Sequence, residues 1–261
     1  MEAPETDSKI SVRGLTMAFG NFVVMKDLNF DVKEKDIFII MGGSGCGKST
    51  LLRHMIGLKE PRDGAIFYEG ENFTEADSAE RLRYIRRFGV MYQSGALWSS
   101  MTLAENISMP IEEHTDLKPR EIRDLANYKL ALVGLSGYED YYPAQVSGGM
   151  NKRAGIARAM ALDPDVLFLD EPGAGLDPLS SQRLDELILR LRDSLGSTFV
   201  IVTHELASIF AIATNSVFLD TNTKTQGATG DPNELRDSSD NETVRQFLSR
   251  GETTEDQQTH E

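Results

Sequence analysis

The segment Gly42-Gly43-Ser44-Gly45-Cys46-Gly47-Lys48-Ser49 decides the fold of this chain of 261 residues, and we call it the phosphate loop. It matches the pattern G-x-x-x-x-G-K-[ST] and follows the apolar run Ile37-Phe38-Ile39-Ile40-Met41, which predicts a strand buried on both faces. Residues 48–56 are expected to form a helix that Gly57 ends. Glycines between a strand and a helix let backbone N–H groups turn toward phosphate oxygens, and the helix adds the positive end of its dipole. The sequence therefore predicts a site for the phosphate groups of a nucleotide.

Two side chains of the phosphate loop are expected to complete this site. The ammonium group of Lys48 should reach the β- and γ-phosphates, and the hydroxyl of Ser49 should be a ligand of Mg²⁺. Cys46 is the only cysteine, so no intrachain disulfide can form, which fits a reducing compartment. A thiol near a helix N-terminus can have a lowered pKa, but we interpret Cys46 as a small residue that fits the space rather than as a redox sensor.

Strand-like and helix-like segments alternate through much of the chain. Residues 166–169 and 198–202 are further short apolar runs, and a helix is predicted between them with Asp177 as N-cap and Pro178 at its first position. The apolar residues that recur at helical spacing there are Leu184, Leu187, Ile188, Leu191 and Leu195. This alternation predicts an α/β domain with a mostly parallel sheet.

Two regions depart from that alternation. Residues 94–161 indicate a helical insert, with helices predicted at residues 119–133 and 151–162. Residues 11–32 and 65–68 contain short strand-like runs separated by turns, which predict an antiparallel β subdomain.

Polar residues follow two of the predicted parallel strands. Asp170 and Glu171 come directly after the run at residues 166–169, and His204 comes shortly after the next run. Ligands of α/β proteins lie at the carboxyl ends of parallel strands. We therefore expect Asp170 to hold Mg²⁺, Glu171 to polarise an attacking water, and His204 to contact the γ-phosphate. The alternative is that these charges merely end their strands.

Composition limits the kind of partner. The chain has 27 Lys and Arg against 41 Asp and Glu, a formal charge of −14, which argues against nucleic acid as the main partner. No apolar run reaches 18 residues, so no transmembrane helix is predicted, and residues 1–9 lack the apolar core of a signal peptide. If the protein acts at a membrane, another subunit must hold it there. Residues 231–261 are rich in acid, and residues 251–261 are expected to fray.

Together with a second glycine-rich segment, these residues resemble the ATP-binding subunit of ABC transporters, with its P-loop NTPase (RecA-like) core. That segment is Ser147-Gly148-Gly149-Met150, and it resembles the signature motif. The resemblance covers residues 10–230, taken as the ATPase domain, and leaves residues 231–261 as an acidic extension. The other matching motifs are Walker A at residues 42–49, Walker B at residues 166–171, the Q-loop at Gln93, the D-loop at Gly175-Leu176-Asp177, the switch histidine His204 and the adenine-stacking aromatic Phe19.

The resemblance implies a homodimer that hydrolyses ATP with Mg²⁺. Two copies face each other head to tail, so that the nucleotide on Lys48 of one copy meets the signature segment of the other. Closure completes two sites, and Glu171, His204 and Gln93 support hydrolysis. The implied nucleotide contacts are Phe19, Gly42, Gly43, Ser44, Gly45, Cys46, Gly47, Lys48, Ser49, Thr50, Ser147, Gly148, Gly149 and Asp177, and the implied metal ligands are Ser49, Gln93 and Asp170. A core aromatic is the alternative for Phe19.

Two departures from the common family pattern narrow the resemblance. The signature segment ends in Met150 rather than Gln, and the Q-loop continues as Gln93-Ser94-Gly95-Ala96-Leu97-Trp98. Both features, with the segment at residues 244–248 near the C-terminus, are similar to the ATPases of bacterial Mla and Mce-type lipid transporters. This branch implies phospholipid transport between inner and outer membranes. It also implies an integral-membrane permease, a Mce-domain protein and a small STAS-domain subunit as partners, and a place on the cytoplasmic face of the inner membrane.

Other functions of the same family stay open at this point. The chain could serve an ABC transporter for another cargo, since partners choose the cargo, or it could be a soluble ABC ATPase acting on DNA or ribosomes. The charge and the presence of one cassette argue against the second. Leu97, Trp98 and Met101 are apolar residues in a polar stretch, which we interpret as a groove for a permease helix. Packing inside the helical insert is the alternative.

Overall fold

The computed structural model describes residues 8–93 and 95–250, so the expectation of fraying at residues 251–261 lies outside the described residues. Its strands, in chain order, are β1 (Ser8–Phe19), β2 (Phe22–Lys33), β3 (Ile37–Gly42), β4 (Asp63–Tyr68), β5 (Glu71–Asn72), β6 (Phe88–Met91), β7 (Val166–Asp170), β8 (Thr198–Val202), β9 (Asn215–Asp220) and β10 (Thr225–Gly230). Its helices are α1 (Lys48–Met55), α2 (Ser78–Ile85), α3 (Leu103–His114), α4 (Pro119–Leu132), α5 (Gly148–Ala159), α6 (Pro178–Leu195), α7 (Leu206–Ile212), α8 (Pro232–Ser238) and α9 (Glu242–Leu248). The chain divides into two compact units, the first with residues up to 85 and from 198 onward, the second with residues 86–197.

An antiparallel sheet in the first unit has the strand order β2-β1-β4-β5. β1 pairs with both of its neighbours, so that Val12 lies opposite Phe30 on one side and Ile66 on the other. Val12, Leu15 and Met17 are fully buried, which anchors this sheet in the core of the unit. The antiparallel subdomain predicted from the sequence is confirmed.

A second sheet of the first unit contains β10, β9, β3 and β8 in this order. β3 runs parallel to its neighbours, with Ile39 opposite Ile201 in β8 and Ser216 in β9, and β10 pairs with β9 antiparallel. Every residue of β3 is buried, because both faces of a parallel strand are covered. The strand continues to Gly42, one residue beyond the apolar run that predicted it.

Among its described residues, the second unit contains the parallel strands β6 and β7, the α-helices α3 to α6 and a short 3-10 helix at Pro143–Gln145. β6 and β7 pair with Val90 opposite Phe168. α5 lies close to β6 at Gly89, where a Cβ atom would come within 2.2 Å of the carbonyl oxygen of Ala159, so glycine is required there. Among the described residues, none of the helices has the length and apolar character needed to span a bilayer.

The predicted helical insert contains one helix more than the sequence pattern indicated. α4 and α5 lie where helices were predicted, although α5 begins at Gly148 and ends at Ala159, three residues earlier at each end. α3 was not predicted. It begins with a capping box, in which the Thr102 hydroxyl accepts from the backbone N–H of Glu105 and the Glu105 carboxylate accepts from that of Thr102. The pattern Thr-x-x-Glu before an apolar stretch was the signal for this helix.

α6 begins as the sequence predicted. Its N-cap is Asp177, whose carboxylate accepts a hydrogen bond of 3.0 Å from the backbone N–H of Ser180, and Pro178 is its first residue. Of the five apolar residues whose spacing predicted this helix, Leu184, Leu187, Ile188 and Leu191 are buried, whereas Leu195 in the last turn is 39% exposed.

Candidate nucleotide site

The phosphate loop joins β3 to α1 through left-handed glycines in the first unit. Gly42, Gly45 and Gly47 have φ values of 145°, 75° and 104°. A Cβ atom on Gly42 would lie 2.6 Å from the carbonyl oxygen of Leu219, and one on Gly47 would lie 2.8 Å from Cγ1 of Val24. Both the backbone conformation and the close neighbours therefore require glycine at positions 42 and 47.

The interior of the loop suits an anion. The buried ammonium group of Lys48 donates hydrogen bonds to the carbonyl oxygens of Gly42 and Gly43, at 2.9 and 3.2 Å. α1 has Gly47 as its N-cap, without a side-chain cap and without an acidic residue in its first turn. Its first N–H groups and helix dipole thus face the loop together with a cation, the combination that binds phosphate.

Cys46 is buried within the loop. Burial raises the pKa of its thiol, and the attraction of the nearby Lys48 ammonium group only partly offsets this. A thiol with a raised pKa is a poor nucleophile at neutral pH. The backbone N–H groups of Lys48 and Cys46 also lower this pKa, but burial outweighs them. This environment favours the interpretation of Cys46 as a small residue that fits the space.

Three more of the predicted site residues belong to the first unit. Phe19 ends β1 and is 49% exposed, and the Lys59 ammonium group lies 3.9 Å from the centre of its ring. This exposure argues against the alternative that Phe19 is a core aromatic. His204 follows β8 and is exposed, whereas its neighbour Thr203 is buried. Thr50 lies in the first turn of α1.

The second unit carries the predicted carboxylates at the end of β7. Asp170 and Glu171 are both buried, at 8% and 9% exposure. Glu171 has a φ of 51°, a left-handed conformation that non-glycine residues seldom adopt. Its carbonyl oxygen accepts hydrogen bonds from the backbone N–H of Ala174 at 3.2 Å and from the ammonium group of Lys152 at 3.3 Å. The backbone of the predicted water-polarising residue is thus held in an unusual conformation.

Lys152 is the residue of this region that sequence reasoning missed. Besides Glu171, its ammonium group donates to the carbonyl oxygen of Gln93, so this side chain of α5 brings two predicted catalytic residues together. No pattern in the sequence pointed to this role, because a lysine on a helix is normally expected at the solvent face.

The signature segment forms the start of α5. The Ser147 hydroxyl accepts a hydrogen bond of 3.2 Å from the backbone N–H of Met150 and caps the helix. Cβ atoms on Gly148 and Gly149 would come no nearer than 3.9 Å to Leu176 and 3.8 Å to Ser180, which are ordinary contacts. The fold of this chain therefore does not itself require glycine at either position.

The Asp177 carboxylate is engaged as the cap of α6. Hydrogen bonds from the side chain and backbone of Ser180 hold its pKa below the ordinary value. The structure thus gives the residue a structural contact in its own chain, next to the nucleotide contact expected from the sequence.

The side chains that could hold a metal ion are few and are oxygen donors. Within residues 8–93 and 95–250, no three His, Cys, Asp or Glu side chains cluster as a metal site. Ser49 offers a hydroxyl and Asp170 a carboxylate, hard oxygen donors of the kind Mg²⁺ takes when substrate phosphates and waters complete its shell. The residues present therefore fit Mg²⁺ as a companion of nucleotide rather than as a caged ion.

A strand–glycine loop–helix unit with a buried lysine, and buried carboxylates at the end of a parallel strand, define a P-loop nucleoside triphosphatase. The family model of the ABC transporter matches residues 25–174. The chain belongs to the ABC transporter family, as an ATP-binding subunit with ATPase activity.

Two relatives and a solved structure agree with this family. The chain is 39% identical over 239 residues to the probable ribonucleotide transport ATP-binding protein mkl of Mycobacterium leprae, covering 92% of this chain and 68% of that protein. It is 40% identical over 204 residues to the intermembrane phospholipid transport system ATP-binding protein MlaF of Haemophilus influenzae, covering 78% of this chain and 77% of that protein. The ATP-binding cassette MJ0796, solved as a dimer in a post-hydrolysis state bound to ADP and Pi, superposes with a TM-score of 0.75 at 26% identity, covering 85% of this chain and 98% of that one.

These findings confirm the predicted fold class and the predicted resemblance to ABC transporter ATPases, including its Mla-type branch. The roles of individual site residues, and the domain limits at residues 10–230, 94–161 and 231–261, stay predictions.

Proposed function

We propose that two copies of this chain hydrolyse ATP to drive phospholipid transport between the inner and outer membranes of a bacterium. The similarity to MlaF carries this proposal, and the Met150 ending of the signature segment with the Q-loop sequence at residues 93–97 supports it. The ATPase domain spans residues 10–230 with a helical insert at about 94–161, and α8 and α9 belong to the acidic extension at residues 231–261.

In this proposal the phosphate loop holds the nucleotide through its backbone N–H groups, Lys48 and Thr50. The adenine ring stacks on the face of Phe19 that Lys59 does not cover. Mg²⁺ would be held by the Ser49 hydroxyl and the Asp170 carboxylate, with Gln93 beside it, and would neutralise charge on the phosphates.

The signature segment acts on the nucleotide of the partner copy. Glycine at positions 148 and 149 is not needed for packing within the chain, which supports close approach by a group from outside. The capped N-terminus of α5 has no acidic residue in its first turn, so its dipole favours the γ-phosphate. Asp177 in the neighbouring D-loop approaches the same composite site.

Hydrolysis then depends on residues of the chain that holds the nucleotide. The Glu171 carboxylate accepts a hydrogen bond from the attacking water and takes its proton as the water oxygen bonds to the γ-phosphorus. The bond from the γ-phosphorus to the oxygen that bridges to the β-phosphate breaks at the same time, and ADP leaves with that oxygen. His204 donates to a γ-phosphate oxygen, and Gln93 senses the nucleotide. Release of phosphate removes the charge that bridges the two copies, so the dimer reopens.

A permease helix docks on the loop that follows the Q-loop. Trp98 is 55% exposed there, although Leu97 and Met101 are half-buried. The fully buried side chain of Asn106 holds this loop: its carbonyl accepts from the backbone N–H of Trp98 at 2.7 Å, and its amide donates to the carbonyls of Trp98, Met101 and Thr102. A rigid loop that presents an exposed aromatic ring suits a docking site. The permease keeps the dimer at the cytoplasmic face of the inner membrane, with a Mce-domain protein and a STAS-domain subunit in the same complex.

The experiment is purification of the tagged full-length chain from membranes of its own bacterium, followed by mass spectrometry of proteins and lipids. We expect a permease, a Mce-domain protein and bound phospholipid. In proteoliposomes the complex should move a fluorescent phospholipid with ATP, and Lys48→Ala should stop this movement. ATP-driven uptake of ribonucleotides without lipid movement would instead support the cargo for which the Mycobacterium leprae relative is named.

A further inference from the structure

Lys152 connects two parts of the candidate site that are far apart in sequence. It lies in the second turn of α5 and is buried, with 8% exposure. Its ammonium group donates to the carbonyl oxygens of Gln93 and Glu171. A buried ammonium group needs such acceptors, because an unpaired buried charge is strongly unfavourable. The contact therefore specifies where the Q-loop and the end of β7 lie relative to α5.

The same face of α5 contacts the Q-loop twice more. A Cβ atom on Gly155 would lie 3.1 Å from Cα of Gly95, so the two backbones are in close contact. The Arg158 guanidinium donates to the carbonyl oxygen of Ala96 at 2.5 Å and to that of Gly95 at 3.4 Å. Lys152, Gly155 and Arg158 follow one another at intervals of three residues, which places them on one helix face. α5 and the Q-loop are thus joined along about two turns of the helix.

The contact with Glu171 acts on a strained backbone. Left-handed φ values persist in non-glycine residues only where surrounding contacts hold them. The Glu171 carbonyl receives the Ala174 N–H and the Lys152 ammonium group. Removing the Lys152 donor takes away one of the contacts that fix the direction of the Glu171 side chain.

We propose that Lys152 is a positioning residue that makes the two ATP sites of the dimer cooperative. The inference rests on the proposed function, in which the partner's nucleotide docks at Ser147. Lys152 lies five residues further along α5, about 7.5 Å along the helix axis. When the partner's nucleotide docks on α5, the helix moves and Lys152 moves with it. Lys152 then fixes the positions of Gln93 and Glu171 of its own chain. These two residues serve the nucleotide bound to their own chain, which is the other site of the dimer.

The test compares Lys152→Met with Lys129→Met in the purified membrane complex. Lys129 is a second buried lysine of the same unit, paired with Asp163, so its loss matches the folding cost without touching the Q-loop or β7. We expect Lys152→Met to lower kcat at least tenfold with KM changed less than threefold, and to lower the Hill coefficient for ATP toward one. Lys152→Arg should restore part of both, and Lys129→Met should leave both unchanged.

Two results would overturn the inference. One is a Lys152→Met complex whose kcat and Hill coefficient stay within twofold of the unmodified complex. The other is an equal loss of kcat in Lys129→Met, which would make the effect one of folding. If Lys152→Met does not fold, Lys152→Gln is measured in its place and must show the same fall in Hill coefficient. Glu171→Gln, measured in parallel, distinguishes failure of this inference from failure of the proposed function. An active Glu171→Gln complex would contradict the proposed function itself.

Discussion

Alanine in the phosphate loop should destabilise the chain strongly at Gly42 and hardly at all at the adjacent Gly43. At Gly42 the φ of 145° is outside the range of L-residues, and the new Cβ would meet a backbone oxygen at 2.6 Å. Strained backbone costs about 1–3 kcal/mol and overpacking about another 1–3 kcal/mol. The oxygen belongs to Leu219 in the interior of β9, which is fully buried and cannot move away. We therefore expect Gly42→Ala to lower the free energy of unfolding by about 4 kcal/mol.

Gly43→Ala is the matched control. No atom lies within 4 Å of its prospective Cβ, and its φ is not left-handed, so the change in stability should stay within about 1 kcal/mol. Scanning calorimetry of the nucleotide-free chain measures both variants. A loss of about 4 kcal/mol corresponds to a fall in Tm of roughly 8–16 °C for a protein of this size. Equal melting temperatures for the two variants would refute the geometry of the loop.

Further predictions concern the docking loop and the thiol. Trp98→Ala should weaken co-purification of the permease while leaving nucleotide affinity unchanged. Tyr128→Ala, at another exposed aromatic residue, is the control. Equal recovery of permease with the two variants would exclude the loop at Trp98 as the docking site. Asn106→Ala should reduce permease recovery in the same way. It should also lower the free energy of unfolding by about 1–3 kcal/mol, because it leaves backbone groups of the loop unpaired. Thermal unfolding and pull-down measure the two effects, and normal permease recovery would contradict the prediction. Because burial raises the pKa of the Cys46 thiol, iodoacetamide should label it slowly at neutral pH and faster as the pH rises through that pKa. Bound ATP should protect the thiol. A labelling rate that ATP does not change would show that Cys46 lies outside the nucleotide site.

Local patterns predicted those parts of the fold where sequence and packing agree. The apolar run before Gly42 predicted a strand covered on both faces, and every residue of β3 is buried in the structure. Asp177 and Pro178 marked the start of α6, because capping and proline geometry act within a few residues. The first turn of α3 has a comparable signal in the capping box of Thr102 and Glu105, although this helix was not predicted.

The candidate site could be predicted from sequence only for residues that belong to a motif whose residue types and spacing indicate their chemistry. Lys48 and the loop glycines have roles fixed by residue type and spacing. The contacts of Lys152 could not be predicted from the sequence. Its ammonium group binds two carbonyl oxygens, which belong to residues 59 positions before it and 19 positions after it. The left-handed φ of Glu171 was equally hidden, since glutamate gives no sign of that conformation. Contacts between distant backbone groups are a product of tertiary packing and leave no local pattern.

The composite site is tested most directly by ATP-dependent dimerisation of the Glu171→Gln chain, measured by light scattering on a size-exclusion column. With turnover removed, ATP should convert this variant from monomer to dimer. Adding Ser147→Arg should keep it monomeric while its affinity for ATP stays unchanged, because the arginine blocks only the surface that meets the partner's nucleotide. A Glu171→Gln, Ser147→Arg double variant that dimerises with ATP as readily as the single variant would contradict the account.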